Sequence, residues 1–231
     1  SEGRSAIEEI DSGAQKAAAL TSQMLAYAGK GKFIETVIDF DSMIREMDSL
    51  LSFSVSKRVH VHYELSGEVN PVQCNPTQLQ QVVMNLLINA SEASAEMGGS
   101  IFVRSRREVI DSSFTSPPEA AKLKSPSPGQ YIVLQIEDTG PGMSPEVIDR
   151  CFEPFFSTKF TGRGLGLSAV LGIVETHGGA IQLTTIVGVG TKFTIYLPLS
   201  EEEVVHELEI PKKSSDLRGQ GRILVIDDDP T

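Results

Sequence analysis

The chain has little cysteine and no long apolar run, and each shortage excludes a class of protein. Its 231 residues include two cysteines, Cys74 and Cys151, which are far apart and outside any metal-ligand spacing. This pattern favours two free thiols, buried or half-buried, in a reducing compartment. No apolar run approaches the roughly 18 residues of a membrane-spanning helix, and no signal peptide opens the chain. We therefore expect a cytoplasmic protein, or the cytoplasmic part of a membrane-bound one.

Basic residues are also in short supply. Lysine and arginine number 20 against 31 aspartates and glutamates, so the formal net charge is -11. A chain of this charge repels phosphates overall, which argues against a nucleic acid or an anionic membrane as the main partner. A local basic site for a nucleotide remains compatible with this composition.

Apolar periodicity predicts alternating helices and strands. Apolar residues that recur every three or four positions predict one bundle helix over residues 1 to about 30 and three later helices. Strict alternation of apolar and polar residues predicts strands. Pro71 and Pro76 indicate a turn, and a Ser/Pro-rich stretch indicates a long exposed loop. We expect an α/β fold, a two-layer sandwich whose mixed sheet carries helices on one face, preceded by the bundle helix. The later helices cover residues 39–56, 77–97 and 165–177, the strands 59–65, 101–107, 131–137, 181–185, 192–197 and 222–226, and the loop 112–129.

Asn85 and Asn89 are the first candidate site residues. They are four residues apart, so they stack on one side of the helix predicted over residues 77–97, at the border of its apolar stripe. An amide at such a border can point into a cleft, and one amide oxygen suffices for a Mg²⁺ ion that arrives with phosphates and water. Taken alone, the pair also fits two ordinary polar residues on a helix flank.

Asp138 is the second candidate, because it ends a predicted strand and is followed by the Gly/Pro-rich segment Thr139–Gly142. A carboxylate there can accept a hydrogen bond from the exocyclic amine of adenine while the glycine backbone passes close to the flat ring. The alternative is a tight turn in which the aspartate binds its own backbone.

Two further segments complete the set of candidates. Gly162–Ser168 opens a helix, where backbone N–H groups and the positive helix end can meet phosphates, although it matches neither a P-loop nor a dinucleotide fingerprint. Phe152–Lys159 places aromatic residues in a Gly/Pro-rich stretch, which is typical of a lid, and Lys159 would bring a cation towards a terminal phosphate. The alternative for this segment is a surface loop that phenylalanines hold on the core.

Together, these segments resemble the histidine kinase ATPase domain of the GHKL superfamily, which has the Bergerat fold. The resemblance covers roughly residues 40–198. It consists of Leu79–Ala90 (N box), Asp138–Gly142 (G1 box), Phe152–Phe156 (F box), Gly162–Leu167 (G2 box) and Gly188–Phe193 (a later glycine-threonine segment).

The resemblance implies a role for each matching residue. Asn89 would ligate Mg²⁺ between the phosphates of ATP, Asp138 would bind the adenine amino group, and Thr191 would lie near the adenine. Asn85 stands where ATP-hydrolysing relatives carry a glutamate base, and an amide cannot take a proton, which favours transfer to a protein nucleophile over hydrolysis. The predicted catalytic residues are Asn85 and Lys159, the metal ligand is Asn89, and the residues that bind ATP are Asn89, Asp138, Gly140, Gly142, Phe152, Phe155, Gly162, Gly164, Leu165, Gly166, Leu167 and Thr191.

The chain departs from the family pattern at two positions. Asn75 stands where many relatives have aspartate, and it can still cap the following helix. Glu92 stands where many histidine kinases place a lysine or arginine near the phosphates. Its negative charge argues against a phosphate contact there, and Arg163 or Lys159 can compensate.

The flanks predict a fragment of a longer protein. A helix that would carry the phosphoacceptor histidine is absent, since the four histidines of the chain lie in other contexts, and His177 is expected to contact the carbonyls at the end of its helix. We therefore expect the fragment not to phosphorylate itself. The predicted domains are 1–32, the second helix of a dimerisation and histidine-phosphotransfer hairpin; 38–199, the ATP-binding catalytic domain; 200–220, a linker; and 221–231, the first strand of a truncated receiver domain.

The expected activity is transfer of the ATP γ-phosphoryl group, with Mg²⁺, to a histidine of the parent protein. Expected partners are that histidine, a response regulator receiver domain and a second copy in the full-length protein. Two alternatives remain open: another GHKL ATPase or protein serine kinase, and a nucleotide-binding module without catalysis.

Overall fold

The computed structural model describes residues 35–95, 98–115, 123, 125–159, 164–202 and 204 of the chain. The bundle helix predicted over residues 1–32 and the receiver strand predicted over 221–231 lie outside this part, as does the linker beyond residue 204. Those three predictions, and the domain boundaries that depend on them, stay predictions.

The described part contains seven strands and four helices, interspersed along the chain. Within it, no helix combines the length and the apolar character that crossing a bilayer requires. The elements are β1 Thr36–Asp39, α1 Phe40–Ser54, β2 His60–Glu64, β3 Pro71–Cys74, α2 Pro76–Ser94, β4 Ser100–Ile110, β5 Gly129–Asp138, α3 Pro145–Arg150, α4 Gly166–Thr176, β6 Ala180–Ile186 and β7 Gly190–Pro198.

The main sheet has five strands in the order β2-β4-β5-β7-β6. Only the edge pair β2–β4 is parallel, and the other three neighbouring pairs are antiparallel. Strands β1 and β3 form a separate two-stranded antiparallel sheet. The predicted mixed sheet is therefore confirmed, and β5 is its central strand.

The two faces of the sheet are covered differently. Side chains alternate between the faces of a strand, and in β5 Ile132, Leu134 and Ile136 pack into the same cluster as the buried residues of α1, α2 and α4. Tyr131 and Val133 point to the other face, into a small second cluster. Burying each large aliphatic side chain stabilises the fold by about 1.5–3 kcal/mol, so most of this stabilisation comes from the helix-covered face. This is the predicted two-layer sandwich.

Helix α2 begins where the chain supplies both a cap and a proline. The Asn75 side chain accepts the N–H of Gln78 at 3.1 Å, and Pro76 occupies the first turn, where its missing N–H is not needed. The helix leaves Asn85 and Asn89 half-buried at the border of its apolar face, as predicted. That buried face consists of Leu79, Val82, Val83, Leu86, Leu87 and Ala90.

His177 fixes the end of α4 against the start of α2. Its Nδ1 lies 2.8 Å from the carbonyl oxygen of Ile173, and its Nε2 accepts the backbone N–H of Asn75 at 3.1 Å. Both bonds form together when the ring is neutral and protonated on Nδ1. The predicted contact with the helix-end carbonyls is confirmed.

Three short elements differ from the sequence-based expectation. The turn predicted between Pro71 and Pro76 is wrong, because residues 71–74 form β3 and pair with Thr36–Asp39. Proline is tolerated as the first residue of a strand, so the two prolines punctuate a strand here. The short helix Pro145–Arg150 was not predicted either. Each of these elements has six residues or fewer, which is too short for periodicity to show.

Candidate functional site

Asp138 lies at the end of β5, in the centre of the sheet. Its register partners are Ile101 on β4 and Thr191 on β7. The side chain is 6% exposed, and its Oδ1 accepts the N–H of Gly140 at 2.8 Å. A carboxylate has about four lone-pair positions, so the bond to Gly140 leaves acceptors for a ligand.

The surroundings of Asp138 act on its charge in opposite directions. Burial raises the pKa of the carboxyl group above its ordinary value of 3.8, and backbone bonds from Gly140 and Thr191 lower it by smaller amounts. The charge of Glu137 raises this pKa and that of Lys159 lowers it. A ligand that donates a hydrogen bond to the carboxylate would favour its charged form further.

Two glycines after Asp138 are required by close packing. A Cβ atom on Gly140 would lie 2.8 Å from Asp138 Oδ1 and 3.0 Å from the Cβ of Ala93 on α2. Gly142 has a φ of 70°, and a Cβ there would lie 2.7 Å from the carbonyl carbon of Ile186. The two predicted glycines thus bring the turn after β5 against α2 on one side and against the β6–β7 hairpin on the other.

Beside this turn, the predicted Thr191 is joined by a second threonine, Thr185, which was not predicted. Thr185 Oγ1 lies 3.0 Å from Thr191 Oγ1, accepts the N–H of Met143 at 3.0 Å and donates to the carbonyl oxygen of Gly190 at 2.9 Å. The two threonines are register partners on β6 and β7. Counting outward from Gly188, the centre of the predicted hairpin, would have paired them from the sequence.

The second part of the site is a contact between α2 and the start of α4. The Asn85 side-chain amide donates to the carbonyl oxygen of Gly166 at 3.4 Å. A Cβ atom on Gly166 would lie 3.9 Å from Asn85 Cγ and 3.9 Å from Asn89 Nδ2. The structure therefore brings both asparagines beside the N-terminus of α4.

The first turn of α4 offers backbone N–H groups. Leu165 occupies the N-cap position, and its apolar side chain cannot accept the N–H groups that begin the helix, among them those of Gly166 and Leu167. The helix dipole adds partial positive charge at this end. Leu165 itself is buried, at 8% exposed. The predicted contact at Gly162 lies outside the described residues.

The F box forms the root of the predicted lid. Phe152 packs edge-to-face on Phe193 with 6.4 Å between ring centroids, and the Arg150 guanidinium lies 4.3 Å from the ring centroid of Phe156. Phe155 is 74% exposed and has a φ of 67°. A non-glycine residue in this region costs on the order of 1–3 kcal/mol, and such strain concentrates at functional sites.

The segment that starts at Phe155 returns to α4 at Gly164. The Gly164 carbonyl oxygen accepts the N–H of Phe155 at 2.8 Å, and a Cβ on Gly164, whose φ is 65°, would lie 2.6 Å from the backbone nitrogen of Phe156. Between these ends, Lys159 forms an ion pair with Glu92 of α2. The described part of the lid is thus fastened at its base, and its Lys159 contacts α2.

One side of α2 connects all these parts. Asn85 and Asn89 face the start of α4, Glu92 binds the lid, and Ala93 packs against Gly140. Eight residues of α-helix span about 12 Å. This side of α2 therefore runs from a carboxylate at one end to helix N–H groups at the other, and we call it the cleft side.

The family model described as histidine kinase-, DNA gyrase B- and HSP90-like ATPase matches residues 74–201. The chain belongs to this ATPase family. The match runs from the end of β3 past the end of β7, so it contains every predicted site residue. The family and the fold class predicted from the sequence are both confirmed.

Curated relatives of this ATPase domain are sensor kinases. Sensor kinase CckA of Brucella abortus (strain 2308) is 34% identical over 234 residues, which is 96% of this chain and 24% of the relative. Sensor histidine kinase ZraS of Escherichia coli (strain K12) is 31% identical over 164 residues, which is 71% of this chain and 31% of the relative. The chain therefore spans about a quarter to a third of the length of these relatives.

Solved structures agree on the fold. The nucleotide-free catalytic domain of histidine kinase ThkA has a TM-score of 0.55 and 27% identity, covering 72% of this chain and 96% of that one. Full-length ShkA in complex with AMPPNP has a TM-score of 0.63 and 20% identity, covering 87% of this chain and 39% of that one. The ShkA likeness concerns the fold alone.

The structure shows the surroundings of both residues that depart from the family pattern. Asn75 caps α2 as expected. Of the two cations that could compensate for Glu92, Lys159 does pair with it. Arg163 lies outside the described residues.

Proposed function

We propose that the chain binds ATP and Mg²⁺ in the cleft along α2 and is the catalytic domain of a sensor histidine kinase. The parent protein would transfer the γ-phosphoryl group of ATP to one of its histidines. The observation that carries this proposal is that a buried carboxylate, Asp138, and the uncapped N-terminus of α4 lie at two ends of the same side of α2. The sensor-kinase names of the relatives support the reaction class.

Asp138 selects adenine. Its carboxylate accepts a hydrogen bond from the exocyclic amine of adenine, whereas the carbonyl oxygen of guanine at that position would repel it. Thr191, the register partner of Asp138, lies at the same end of the cleft. Gly140 and Gly142 form the floor of the base pocket, because their lack of side chains keeps the turn close to α2 at Gly140 and close to the β6–β7 hairpin at Gly142.

The phosphates bind at the other end. The N–H groups of Gly166 and Leu167 and the positive end of α4 suit an anion. Asn89 beside them supplies an amide oxygen, which is a ligand of the hard kind that Mg²⁺ takes together with phosphate oxygens and water. When bound, the ion offsets phosphate charge, and Lys159 adds a cation from the lid.

Asn85 favours phosphoryl transfer over hydrolysis. An amide cannot accept the proton of an attacking water, and the Asn85 amide is directed to the carbonyl oxygen of Gly166. A histidine ring nitrogen is a nucleophile in its own right, so transfer to histidine needs no base at this position. This argument separates the proposal from a hydrolysing ATPase of the same family.

The proposed partners follow from the reaction. The phosphohistidine of the parent protein would pass its phosphoryl group to an aspartate of a response regulator receiver domain, and the parent protein would act as a homodimer. The buried free thiols of Cys74 and Cys151 support a reducing compartment, the cytoplasm.

A thermal shift experiment on the chain tests nucleotide binding. ATP, ADP and GTP are each added with and without Mg²⁺. A ligand at 100 times its Kd stabilises the folded state by about 2.7 kcal/mol, which raises the Tm of a domain of this size by roughly 5–10 °C. We expect that rise with ATP, a larger one with Mg²⁺, and none with GTP. Equal shifts with GTP would refute the role of Asp138.

Labelled ATP tests the reaction. The chain is mixed with a polypeptide that carries the phosphoacceptor hairpin of the parent protein. We expect acid-labile, base-stable phosphate on the hairpin and none on the chain alone. Release of free phosphate at the same rate without the hairpin would instead identify a hydrolysing ATPase, and binding without either reaction would identify a non-catalytic module.

A further inference from the structure

The ion pair between Glu92 and Lys159 joins two segments that are 67 residues apart in the sequence. Glu92 follows Asn89 by three residues, so both lie on the cleft side of α2. Lys159 lies on the lid between Phe155 and Gly164, whose own backbone bond closes the base of that segment. Among the described residues, this ion pair is the contact by which the lid reaches across to α2.

The charge of Lys159 also reaches the carboxyl group of Asp138. This charge lowers the pKa of Asp138, against the larger effect of burial. Asp138 is on the central strand and Glu92 is on the helix above it, so the ammonium group lies within electrostatic range of both walls.

We propose that Glu92 is a positioning residue, which holds the ammonium group of Lys159 over the phosphate end of the cleft. This inference rests on the proposed function, because it assumes that phosphates bind beside Asn89. An ammonium group has three N–H donors. The carboxylate of Glu92 engages one, and the others remain for oxygen atoms of the terminal phosphate.

Holding Lys159 in place has a physical reason. A free lysine side chain loses up to about 2 kcal/mol of rotamer freedom when a ligand orders it. The ion pair with Glu92 orders it before the nucleotide arrives, so less of that cost falls on binding. Both side chains are partly exposed, at 39% and 52%, and exposed pairs are weak. The effect should therefore be a few-fold change in affinity.

The negative charge of Glu92 also acts directly, by repelling phosphates. Its removal alone would tighten nucleotide binding. Positioning of Lys159 and repulsion of phosphate act on the nucleotide affinity with opposite signs. Replacing Glu92 both with and without Lys159 present distinguishes them. A double-mutant cycle is therefore the decisive design.

The affinity of the chain for AMPPNP with Mg²⁺, and for adenosine, is measured by calorimetry for the unchanged protein and for E92Q, E92D, K159Q and E92Q/K159Q. We expect E92Q to weaken AMPPNP binding about two- to fivefold, in keeping with an exposed pair, and E92D to retain most of it. In the K159Q background, E92Q should leave the AMPPNP affinity unchanged or raise it slightly. Adenosine binding should be unchanged throughout, because a structural defect would affect both ligands.

The matched control is E64Q, which removes an exposed glutamate that pairs with Arg104 on the edge strands; it should leave both affinities unchanged. If E92Q changes the AMPPNP affinity by the same factor with and without Lys159, the two residues are not coupled and the positioning role is refuted. If adenosine does not bind the unchanged protein at all, the proposed function itself fails, and the inference fails with it.

Discussion

Replacing Asp138 with asparagine is the sharpest test of base recognition. The change keeps the shape of the side chain and removes one acceptor. At present, Oδ1 accepts the N–H of Gly140 at 2.8 Å and the carboxylate also receives a backbone hydrogen bond from Thr191, and we propose that it accepts the adenine amine as well. Asparagine has one oxygen and one NH₂ group. If the asparagine oxygen accepts the N–H of Gly140, its NH₂ group points at the adenine amine, which is also a donor. If the amide is turned over, its NH₂ group points at the N–H of Gly140.

Either orientation loses one hydrogen bond to a charged acceptor. Such bonds contribute about 1.5–3 kcal/mol, so D138N should bind ATP roughly 10- to 150-fold more weakly. The folded state should lose little stability, because the variant also removes the cost of burying a charge. The large loss of affinity should therefore come with a Tm close to that of the unchanged protein in the absence of nucleotide.

The pH dependence of binding supplies an internal check. Burial raises the pKa of Asp138 in the folded state above 3.8, so ionisation of this carboxyl group lowers the free energy of unfolding. This loss is absent below the pKa of the unfolded state and complete above the raised pKa of the folded state. Binding of adenine needs the ionised form. The affinity for adenine should therefore fall as the pH is lowered, and the fall should begin at a higher pH than it would if an exposed aspartate bound the base. D138N should not show this pH-dependent fall.

Calorimetry with adenosine and AMPPNP at several pH values measures both effects. The control is D111N, since Asp111 is exposed and follows the opposite end of β4. The reasoning is refuted if D138N and D111N bind adenosine equally well. It is also refuted if D138N loses affinity only because it no longer folds, which circular dichroism would show.

Three further predictions concern other parts of the molecule. G190A should lower the free energy of unfolding by about 2 kcal/mol or more, because its φ is 150° and its Cβ would lie 3.0 Å from the carbonyl carbon of Asp138; G172A, in an open helical position, should raise it by about 0.5–1 kcal/mol. Urea denaturation measures both. N89A should abolish the effect of Mg²⁺ on ATP affinity and leave adenosine binding unchanged in calorimetry. Burial raises the pKa of Cys74 to about 12, so iodoacetamide at pH 8 should modify it only after unfolding.

Each of these has a clear contrary result. Equal unfolding free energies for the two glycine variants would show that the close approach of β7 to β5 carries no cost. A retained Mg²⁺ effect in N89A would move the metal to another ligand. Rapid alkylation of the folded protein would place Cys74 at the surface.

Long periodic elements could be predicted from the sequence. Helix α2 has a cap, a proline and six buried apolar positions that agree with one another, and such consistency makes its existence and its polar flank readable. Asp138 could be placed at a strand end for the same reason, because β5 is a long run of strand-forming residues. Its neighbours Gly140 and Gly142 stand where only glycine fits.

Contacts between distant segments could not be predicted. The β1–β3 pair involves four residues on each side, which is too few for alternation to stand out, and Pro71 indicated a turn instead. The ion pair of Glu92 with Lys159 depends on how the lid folds over α2, and no local pattern encodes that path. Thr185 is an intermediate case: it was not predicted, but the register of the predicted hairpin pairs it with Thr191.

The most direct test of the central claim is a crystal structure of the chain with AMPPNP and Mg²⁺. We expect the adenine amine within hydrogen-bond distance of Asp138, the phosphates at the N–H groups of Gly166 and Leu167, and the ion bound to Asn89. A nucleotide bound elsewhere, or a cleft that stays closed by its own side chains at saturating nucleotide, would contradict the account.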